Sequence, residues 1–235
     1  LECLVVVTQN PDSHGLPHTS AVVHGKLGLA ARCAAFDISL GCSGFVYGLA
    51  TVSAFMAANG MACGVLVTAD PYSKIIGPED RDTVMLFGDG AAATLLSDDP
   101  VWRIGRTDFG TLGQQRDALV VKADGKLAMN GRGVFNFSAT EVPPSIRRAL
   151  AANRVELGDI DRFILHQGSR FIIDTIAKRL GIEDRTPFCA ENYGNLVSSS
   201  IPVALAEAVK DSDRRIVISG FGVGLSFAST VLTRV

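Results

Sequence analysis

Short apolar segments rich in β-branched residues alternate along the chain with longer segments of helical periodicity. The apolar segments are continuous, which is typical of strands buried on both faces of a parallel sheet. The pattern therefore predicts an α/β chain with a largely parallel, two-sided buried sheet. The predicted strands span residues 4–8, 34–38, 64–68, 91–96, 162–166 and 216–220. The predicted helices span residues 19–29, 43–58, 143–153, 172–180 and 201–210.

The second half of the chain repeats the first at a constant offset. Segments 26–29, 35–36 and 41–42 align with segments 179–182, 188–189 and 194–195. Such a repeat indicates two related modules, each with a strand, a helix, a second strand, a Gly-X turn, a second helix and a third strand. Residues 108–133 lack clear periodicity and are interpreted as a long connection. We therefore predict two halves, residues 1–107 and 108–235, with Cys42 and Asn195 at equivalent points.

Composition narrows the class of protein. Lys and Arg together number 22 against 24 for Asp and Glu, so the chain lacks the basic surface that nucleic-acid binding needs. No apolar run approaches the roughly 20 residues that span a bilayer. The five cysteines are an odd number without a CxxC pair, which argues against a disulfide scaffold or a zinc site. We expect a cytoplasmic protein with no metal, no nucleic-acid partner and no membrane partner.

Cys42 is the first candidate for chemistry. It follows a predicted strand and Gly41, and a helix is predicted to start at or just after it. The free N–H groups and the dipole of a helix N-terminus stabilise a thiolate, so we expect a lowered thiol pKa. The same N–H groups can hold an oxyanion. A structural cysteine at a helix start remains the alternative at this point.

Two further polar residues lie where α/β folds place reactive groups. His166 ends an apolar strand, a usual place for catalytic groups, although a hydrogen-bonded core histidine would explain it as well. Asn195 follows Gly194, and a helix-capping role would suffice for it. The repeat changes this balance, because both residues and Cys42 converge if the modules pack about a pseudo-two-fold axis. The glycines of segment 220–224 would let a backbone N–H approach a reacting atom.

These segments together resemble the β-ketoacyl-acyl carrier protein synthase III family of the thiolase superfamily. The resemblance covers essentially the whole chain and rests on residues 37–48, 86–91, 165–167, 194–195, 200–202 and 220–224. It implies a thiolase-like five-layer αβαβα fold of two related halves. It also implies a catalytic triad of Cys42, His166 and Asn195, with an oxyanion hole formed by the backbone N–H groups of Cys42 and Val223.

The resemblance further implies a substrate pocket and a reaction. The pocket would include Leu16, Phe87, Ser169 and Phe221, with Leu16 crossing a two-fold interface to wall the partner's acyl pocket. The implied reaction moves an acyl group from acyl-CoA to Cys42 and then condenses it, with decarboxylation, with malonyl-acyl carrier protein. Fatty acids or related secondary metabolites would be the products. No cofactor is implied beyond the CoA thioester and the carrier-protein phosphopantetheine, which are substrates, and a homodimer is expected.

Three features depart from the family pattern. The sequence starts well inside that pattern, so we expect an N-terminal part of the first half, about seventy residues by the length usual for this fold, to be absent. Arg170 lies one position earlier than the family's basic residue after the histidine, which leaves carrier-protein docking open. Leu196 and Val197 follow Asn195 where small residues are commoner. Acyl specificity is therefore not carried over.

Two other functions stay open from the sequence. A non-decarboxylating acyltransferase on the same scaffold would keep Cys42 and use another acceptor. A catalytically silent partner subunit would only shape a heterodimer, but such subunits lose the nucleophile, and all three triad residues stand here. Release of CO₂ from malonyl thioesters separates the first function from the second, and an acyl adduct on Cys42 separates both from the third.

Overall fold

The first sheet carries the N-terminal strands. The computed structural model describes the backbone of all 235 residues and every side chain except those of residues 13 and 82. Strand β1 (Cys3–Val7) is buried throughout and lies between two parallel neighbours, β2 (Ala34–Ile38) and β3 (Cys63–Ala69). Strand β4 (Ala91–Ser97) pairs antiparallel with β3 and completes the order β2-β1-β3-β4.

The second sheet is built from later strands. Strands β5 (Trp102–Ile104) and β6 (Asp108–Thr111) both pair antiparallel with one side of the last strand of the chain. Strands β7 (Leu119–Val121) and β8 (Leu127–Met129) form a separate hairpin. Strand β9 (Arg162–Leu165) is parallel to β10 (Arg215–Gly222), which is antiparallel to that last strand, β11 (Ser226–Arg234). Strand β5 thus already belongs to the second sheet, although it lies before the predicted boundary between the halves at residues 107 and 108. That boundary stays a prediction.

The helices form three layers around the two sheets. Helix α1 (Thr19–Lys26) packs on the first sheet, and α2 (Gly44–Asn59) and α6 (Ser200–Ala208) pack between the two sheets. Helices α4 (Gly131–Ala152) and α5 (Arg170–Leu180) pack on the second sheet. Helix α3 (Arg81–Val84) is a single turn. α2 is apolar on nearly all sides because both sheets contact it. The predicted five-layer αβαβα fold is confirmed. No helix of the described residues is long and apolar enough to cross a membrane.

The same strand pairing occurs in both sheets. β1, β3 and β4 are related as β9, β10 and β11 are, with one parallel and one antiparallel pair in each set. The predicted second strand of the C-terminal module is wrong, because Phe188 and Cys189 lie in no strand. The N–H of Cys189 donates instead to Oε1 of Gln167, at 2.8 Å.

Helix α4 differs most from its prediction, which placed the start at Pro143. The helix begins at Gly131, and Oδ1 of its N-cap Asn130 accepts from the N–H of Gly133 at 3.0 Å. Pro143 therefore lies inside the helix, where it supplies no N–H to the carbonyl four residues earlier. That carbonyl, on Ala139, accepts from the guanidinium of Arg179 on α5. A tertiary contact thus replaces the missing helical hydrogen bond.

The segment interpreted as a long connection without clear periodicity contains regular structure. β6 and the β7–β8 hairpin lie within residues 108–133, and β11 was also missed as a strand. β6 and β11 carry small and polar residues, so their apolar signal is weak. Pairing on both sides of β11 supplies the order that its composition does not predict.

Candidate active site

Cys42 lies in a tight turn between β2 and α2. The N–H of Gly44 donates to the carbonyl of Gly41 at 2.7 Å, and α2 begins at Gly44, two residues after the cysteine. The C-terminal end of β10 passes directly over the thiol. A Cβ added at Gly222 would lie 2.8 Å from Sγ of Cys42, closer than real atoms approach. Only glycine at this position lets the backbone of β10 reach the sulfur.

The thiol of Cys42 is neutral in this environment. Burial, followed by the nearby Asp70, raises its pKa to about 12. Hydrogen bonds from the backbone N–H groups of Val223 and of Cys42 itself to the sulfur act in the opposite direction but are outweighed. The expectation of a lowered thiol pKa was therefore wrong, because removal from water exceeds the effect of the helix N-terminus.

The loop that carries Val223 is held by hydroxyl groups. Ser226 Oγ donates to the carbonyl of Val223 at 2.8 Å, and Ser43 Oγ lies 2.7 Å from Ser226 Oγ. Since the Ser226 proton is used on Val223, Ser43 is the donor in the second bond. This chain connects the loop after β10 to the start of α2. It links the two segments whose backbone N–H groups face the Cys42 sulfur. Their role as an oxyanion hole stays a prediction.

His166 follows β9 directly and is buried. Its N–H donates to the carbonyl of Ser219 on β10 at 2.8 Å, which continues the sheet pairing by one residue. Burial lowers the pKa of its imidazole to about 3, so the ring is neutral at physiological pH. The ring also meets Phe221 edge-on, with centroids 5.5 Å apart.

Ser200 determines which nitrogen of His166 carries the proton. Its Oγ lies 2.6 Å from Nδ1, and the backbone N–H of Gln167 donates weakly to it at 3.4 Å. Among the described residues, Nδ1 is the acceptor that remains for the Ser200 hydroxyl proton, so we assign that proton to the Nδ1 bond. A neutral imidazole that accepts at Nδ1 carries its own proton on Nε2. His166 therefore presents a hydrogen-bond donor to the cavity.

Asn195 is fixed from both backbone and side chain. Its N–H donates to the carbonyl of Leu86 at 2.8 Å, and its carbonyl accepts from Gly88 at 3.1 Å. Its Oδ1 accepts from the N–H of Val197 at 2.8 Å. Nδ2 is then the part of the amide left to donate. The helix-capping alternative does not describe this residue, because Ser199 is the N-cap of α6.

A cavity of about 410 Å³ brings the three residues together. Cys42, His166 and Asn195 all line it, as do the predicted pocket residues Phe87, Ser169 and Phe221. Val223 packs against the cluster that contains Cys42. Leu16 is not among the lining residues and is 86% exposed. Its predicted role at a partner's pocket stays a prediction.

Sequence reasoning missed one wall of the cavity. Leu119, Met129, Val134 and Phe135 line it, and they come from the β7–β8 hairpin and the first turns of α4. These elements lie in and beside the segment interpreted as a long connection. Its recurring apolar residues were the available signal. Arg132, one residue into α4, is the basic side chain that lines the same cavity.

The shifted arginine is engaged within the protein. Arg170 pairs with Glu191 and stacks on Phe188, with its guanidinium carbon 4.4 Å from the ring centroid. It lies at the start of α5, beside the cavity-lining residues Ser169 and Phe171. Both contacts hold the side chain along the surface next to the cavity.

Two family models match the chain, and together they cover more than half of it. The model described as 3-oxoacyl-[acyl-carrier-protein (ACP)] synthase III matches residues 36–113, which contain Cys42. The model described as its C-terminal part matches residues 150–234, which contain His166, Asn195 and Val223. The chain belongs to the β-ketoacyl-acyl carrier protein synthase III family. All residues of the candidate site that the resemblance predicted, except Leu16, lie within the matched stretches of this synthase family.

Individual members of the synthase family agree with this placement. The chain is 33% identical to the β-ketoacyl-[acyl-carrier-protein] synthase III of Streptococcus gordonii, over 99% of this chain and 78% of that protein. The crystal structure of the 3-oxoacyl-(acyl carrier protein) synthase III of Pseudomonas aeruginosa PAO1 superposes with a TM-score of 0.91 at 33% identity, over 99% and 76% of the two chains. The priming β-ketosynthase of the R1128 polyketide pathway gives a TM-score of 0.89 at 29% identity, over 100% and 75%. The chain is therefore an acyltransferase-type condensing enzyme with the thiolase fold.

Proposed function

We propose that this enzyme transfers an acyl group from acyl-CoA to Cys42 and condenses it with malonyl-acyl carrier protein, releasing CO₂. One observation carries the proposal: Cys42, His166 and Asn195 line one cavity. Two backbone N–H groups face the sulfur in addition. The site thus contains a nucleophile, one set of donors at its sulfur and a second set supplied by side chains.

In the first half-reaction, Cys42 attacks the thioester carbonyl. The carbonyl oxygen becomes negative and is held by the N–H groups of Cys42 and Val223. The bond between the carbonyl carbon and the CoA sulfur then breaks, and the thiol proton of Cys42 ends on CoA. Because both thiol and imidazole are neutral in the free site, the proton leaves the cysteine only as the substrate carbonyl binds.

In the second half-reaction, His166 and Asn195 act as donors. The bond between the malonyl carboxylate and its methylene carbon breaks, CO₂ leaves, and the electron pair passes into an enolate. Nε2–H and Nδ2–H stabilise the enolate oxygen, and the enolate carbon attacks the acyl-cysteine. The β-ketoacyl thioester forms, and the Cys42 thiolate leaves and takes a proton from water.

The products fit either of two pathway classes. The family descriptions name the carrier-protein synthases, and one structural relative is named as a priming ketosynthase of polyketide biosynthesis. We propose a β-ketoacyl carrier-protein product, destined for fatty acid or polyketide synthesis. All five cysteines are free thiols in the structure, which supports the proposal of a reducing, cytoplasmic setting.

The experiment follows the two half-reactions separately on the full chain. Intact mass spectrometry detects the acyl adduct after addition of acetyl-CoA, and radiolabelled CO₂ release from malonyl-acyl carrier protein measures condensation. We expect an adduct on wild type, none on Cys42→Ser, and an unchanged adduct on Cys63→Ser, whose half-buried thiol lies at the start of β3.

The outcomes separate the competing functions. An adduct with CO₂ release supports the proposal. An adduct that passes to another acceptor without CO₂ release would identify a non-decarboxylating acyltransferase. No adduct with acetyl-, butanoyl- or hexanoyl-CoA would contradict the enzyme role and favour a silent subunit.

A further inference from the structure

Asp70 is a buried carboxyl that the proposed reaction does not use. It follows β3 directly and is closed off from solvent. Its partners among the described residues are all neutral. Oδ1 accepts from the N–H of Gln9 at 2.7 Å and lies 3.5 Å from the Thr8 hydroxyl, and Oδ2 accepts from Oγ of Ser198 at 2.5 Å. Burying a carboxyl without a cation costs stability, so packing alone does not explain this residue.

Ser198 belongs to the Asn195 turn, which comprises residues 195–198. The N–H of Val197, the residue before Ser198, donates to Oδ1 of Asn195 at 2.8 Å. This bond uses the acceptor atom of the amide, so Nδ2 is left to donate. The bond between Ser198 and Asp70 therefore joins the first sheet to the turn that orients the Asn195 amide.

The backbone at Val197 needs support from its surroundings. Its φ is 53°, in the left-handed region that a β-branched residue rarely adopts. Such a residue keeps this conformation only where neighbouring groups hold it. The Val197 side chain is fully buried and packs with Cys42 in one apolar cluster. The Ser198 hydroxyl, one residue further along, fastens the chain on the other side of the strained residue.

The next hydroxyl along the chain holds a different part of the structure. Ser199 Oγ lies 2.9 Å from Oγ1 of Thr68 on β3 and 3.0 Å from the carbonyl oxygen of the same residue. Ser199 is also the N-cap of α6, so this contact places the helix. Loss of the Ser198 bond alone should therefore leave α6 in place and loosen only the Asn195 turn.

We propose that Asp70 and Ser198 are positioning residues for Asn195, because their hydrogen bond holds the turn that aims the amide at the substrate. The inference rests on the proposed second half-reaction, in which Asn195 stabilises the enolate. Accurate placement of a donor matters for the step that uses it. The link should therefore affect decarboxylation, and not the transfer of an acyl group to Cys42, which uses backbone N–H groups.

The test measures both half-reactions on the full chain in Ser198→Ala, alone and combined with Asn195→Ala. Release of CO₂ from malonyl-acyl carrier protein should fall about tenfold in Ser198→Ala, the range of a lost hydrogen bond to a buried group. The rate of the acetyl adduct on Cys42 should stay nearly unchanged. In the Asn195→Ala background, Ser198→Ala should have no further effect on CO₂ release, because its action needs the amide.

Two substitutions of Asp70 test the other end of the link. Asp70→Ala breaks the link and should lose CO₂ release to a similar extent as Ser198→Ala. Asp70→Asn removes the same charge, but its amide keeps an acceptor for the N–H of Gln9 and gains a donor for Oγ of Ser198. It should restore most of the CO₂ release that Asp70→Ala loses. Because both variants remove the charge, the difference between them reports the link.

Asp213→Asn is the matched control for loss of stability. Asp213 is also a buried carboxyl, but it pairs with Arg162 and precedes β10, whose opposite end carries Gly222 over the thiol. This variant should keep the wild-type ratio of the two half-reactions. Amide hydrogen exchange gives a readout that does not depend on activity. The Val197 N–H should exchange faster in Ser198→Ala than in wild type or in Asp213→Asn, and thermal unfolding confirms that each variant folds.

The outcomes distinguish this inference from the function on which it rests. Unchanged CO₂ release in Ser198→Ala, an equal loss in both half-reactions, or a further loss in the Asn195→Ala background would overturn the positioning role and leave the proposed function intact. A wild-type protein that releases no CO₂ would overturn the proposed second half-reaction and this inference together.

Discussion

The turns at Cys42 and Asn195 occupy matching places in the two sheets, yet they hold their side chains in different ways. Each follows a glycine and precedes a helix of the central layer. The Cys42 sulfur is contacted by backbone N–H groups from its own turn and from Val223. Asn195 is held by its own side chain, since Oδ1 accepts from Val197. One turn thus leaves its side chain free to react, whereas the other restricts its side chain to donating.

His166 sharpens the comparison, because its counterpart in the first sheet has another role. Thr8 follows β1 as His166 follows β9, but its N–H donates to the carbonyl of Ile38 on β2, whereas that of His166 donates to Ser219 on β10, the counterpart of β3. The Thr8 hydroxyl lies 3.5 Å from Asp70, beneath the site. The repeat therefore supplies positions near the nucleophile, and the residue at each position decides between chemistry and support.

The largest expected effect comes from removing the side-chain donor of Asn195. Asn195→Ala should still form the Cys42 adduct, while CO₂ release from malonyl-acyl carrier protein falls roughly a hundred- to a thousandfold, the usual effect of losing one oxyanion donor. Acylation is spared because its oxyanion is held by backbone N–H groups. Asn195→Asp keeps the shape but replaces Nδ2 with an oxygen and should show the same split. Loss of acylation with normal decarboxylation would reverse the proposed roles of the two turns.

Ser200→Ala should have a smaller effect on the same step. Without the hydroxyl, Nδ1 of His166 loses its donor and the imidazole proton is no longer held on Nε2. We expect CO₂ release to fall about tenfold, in line with a lost hydrogen bond to a buried group, with little change in acylation. Nitrogen-15 chemical shifts of His166 report the tautomer directly. A wild-type tautomer in the variant would contradict the assignment to Ser200.

Asp70→Asn should change the rate at which iodoacetamide alkylates Cys42 by a few-fold, and so alter the pH profile of that reaction. Asp70 is the second cause, after burial, of the raised pKa of Cys42, so removing its charge should lower that pKa. A larger thiolate fraction at pH 8 should then speed alkylation by iodoacetamide. In wild type the rate should keep rising from pH 8 towards pH 12, because the thiol titrates near 12. Cys33, in the same digest, is the internal control, and an unchanged Cys42 rate would mean that Asp70 is uncharged.

Leu16→Phe should give the smallest effect, confined to chain length. Leu16 is 86% exposed in the single chain, which is consistent with the expected two-fold interface. Added volume there should shorten the accepted acyl chain without altering acetyl transfer. Leu27→Phe, at an exposed residue after α1, is the matched control. A monomer at micromolar concentration by sedimentation, or an unchanged chain-length profile, would contradict the interface.

The strands that the hydrophobic pattern marked most clearly were predicted best. β2 has the predicted bounds, and β1, β3 and β10 differ by one or two residues at their ends. Helix α4 was predicted twelve residues short, because two glycines and an asparagine near its start have low helix propensity. Packing on the second sheet and the Asn130 cap outweigh that propensity. The elements that the sequence did not predict were therefore those whose order comes from strand pairing or from tertiary packing.

The identity and order of the candidate residues could be predicted from sequence alone, since Cys42, His166 and Asn195 each follow a strand or a glycine turn in a recognisable setting. The protonation states could not. They depend on burial and on groups distant in the chain: Asp70 and Val223 for the thiol, and Ser200 for the imidazole. A helix start alone favours a thiolate, but the surrounding sheets exclude water from it. Only the tertiary structure decides such a balance, because desolvation depends on everything that packs around the group.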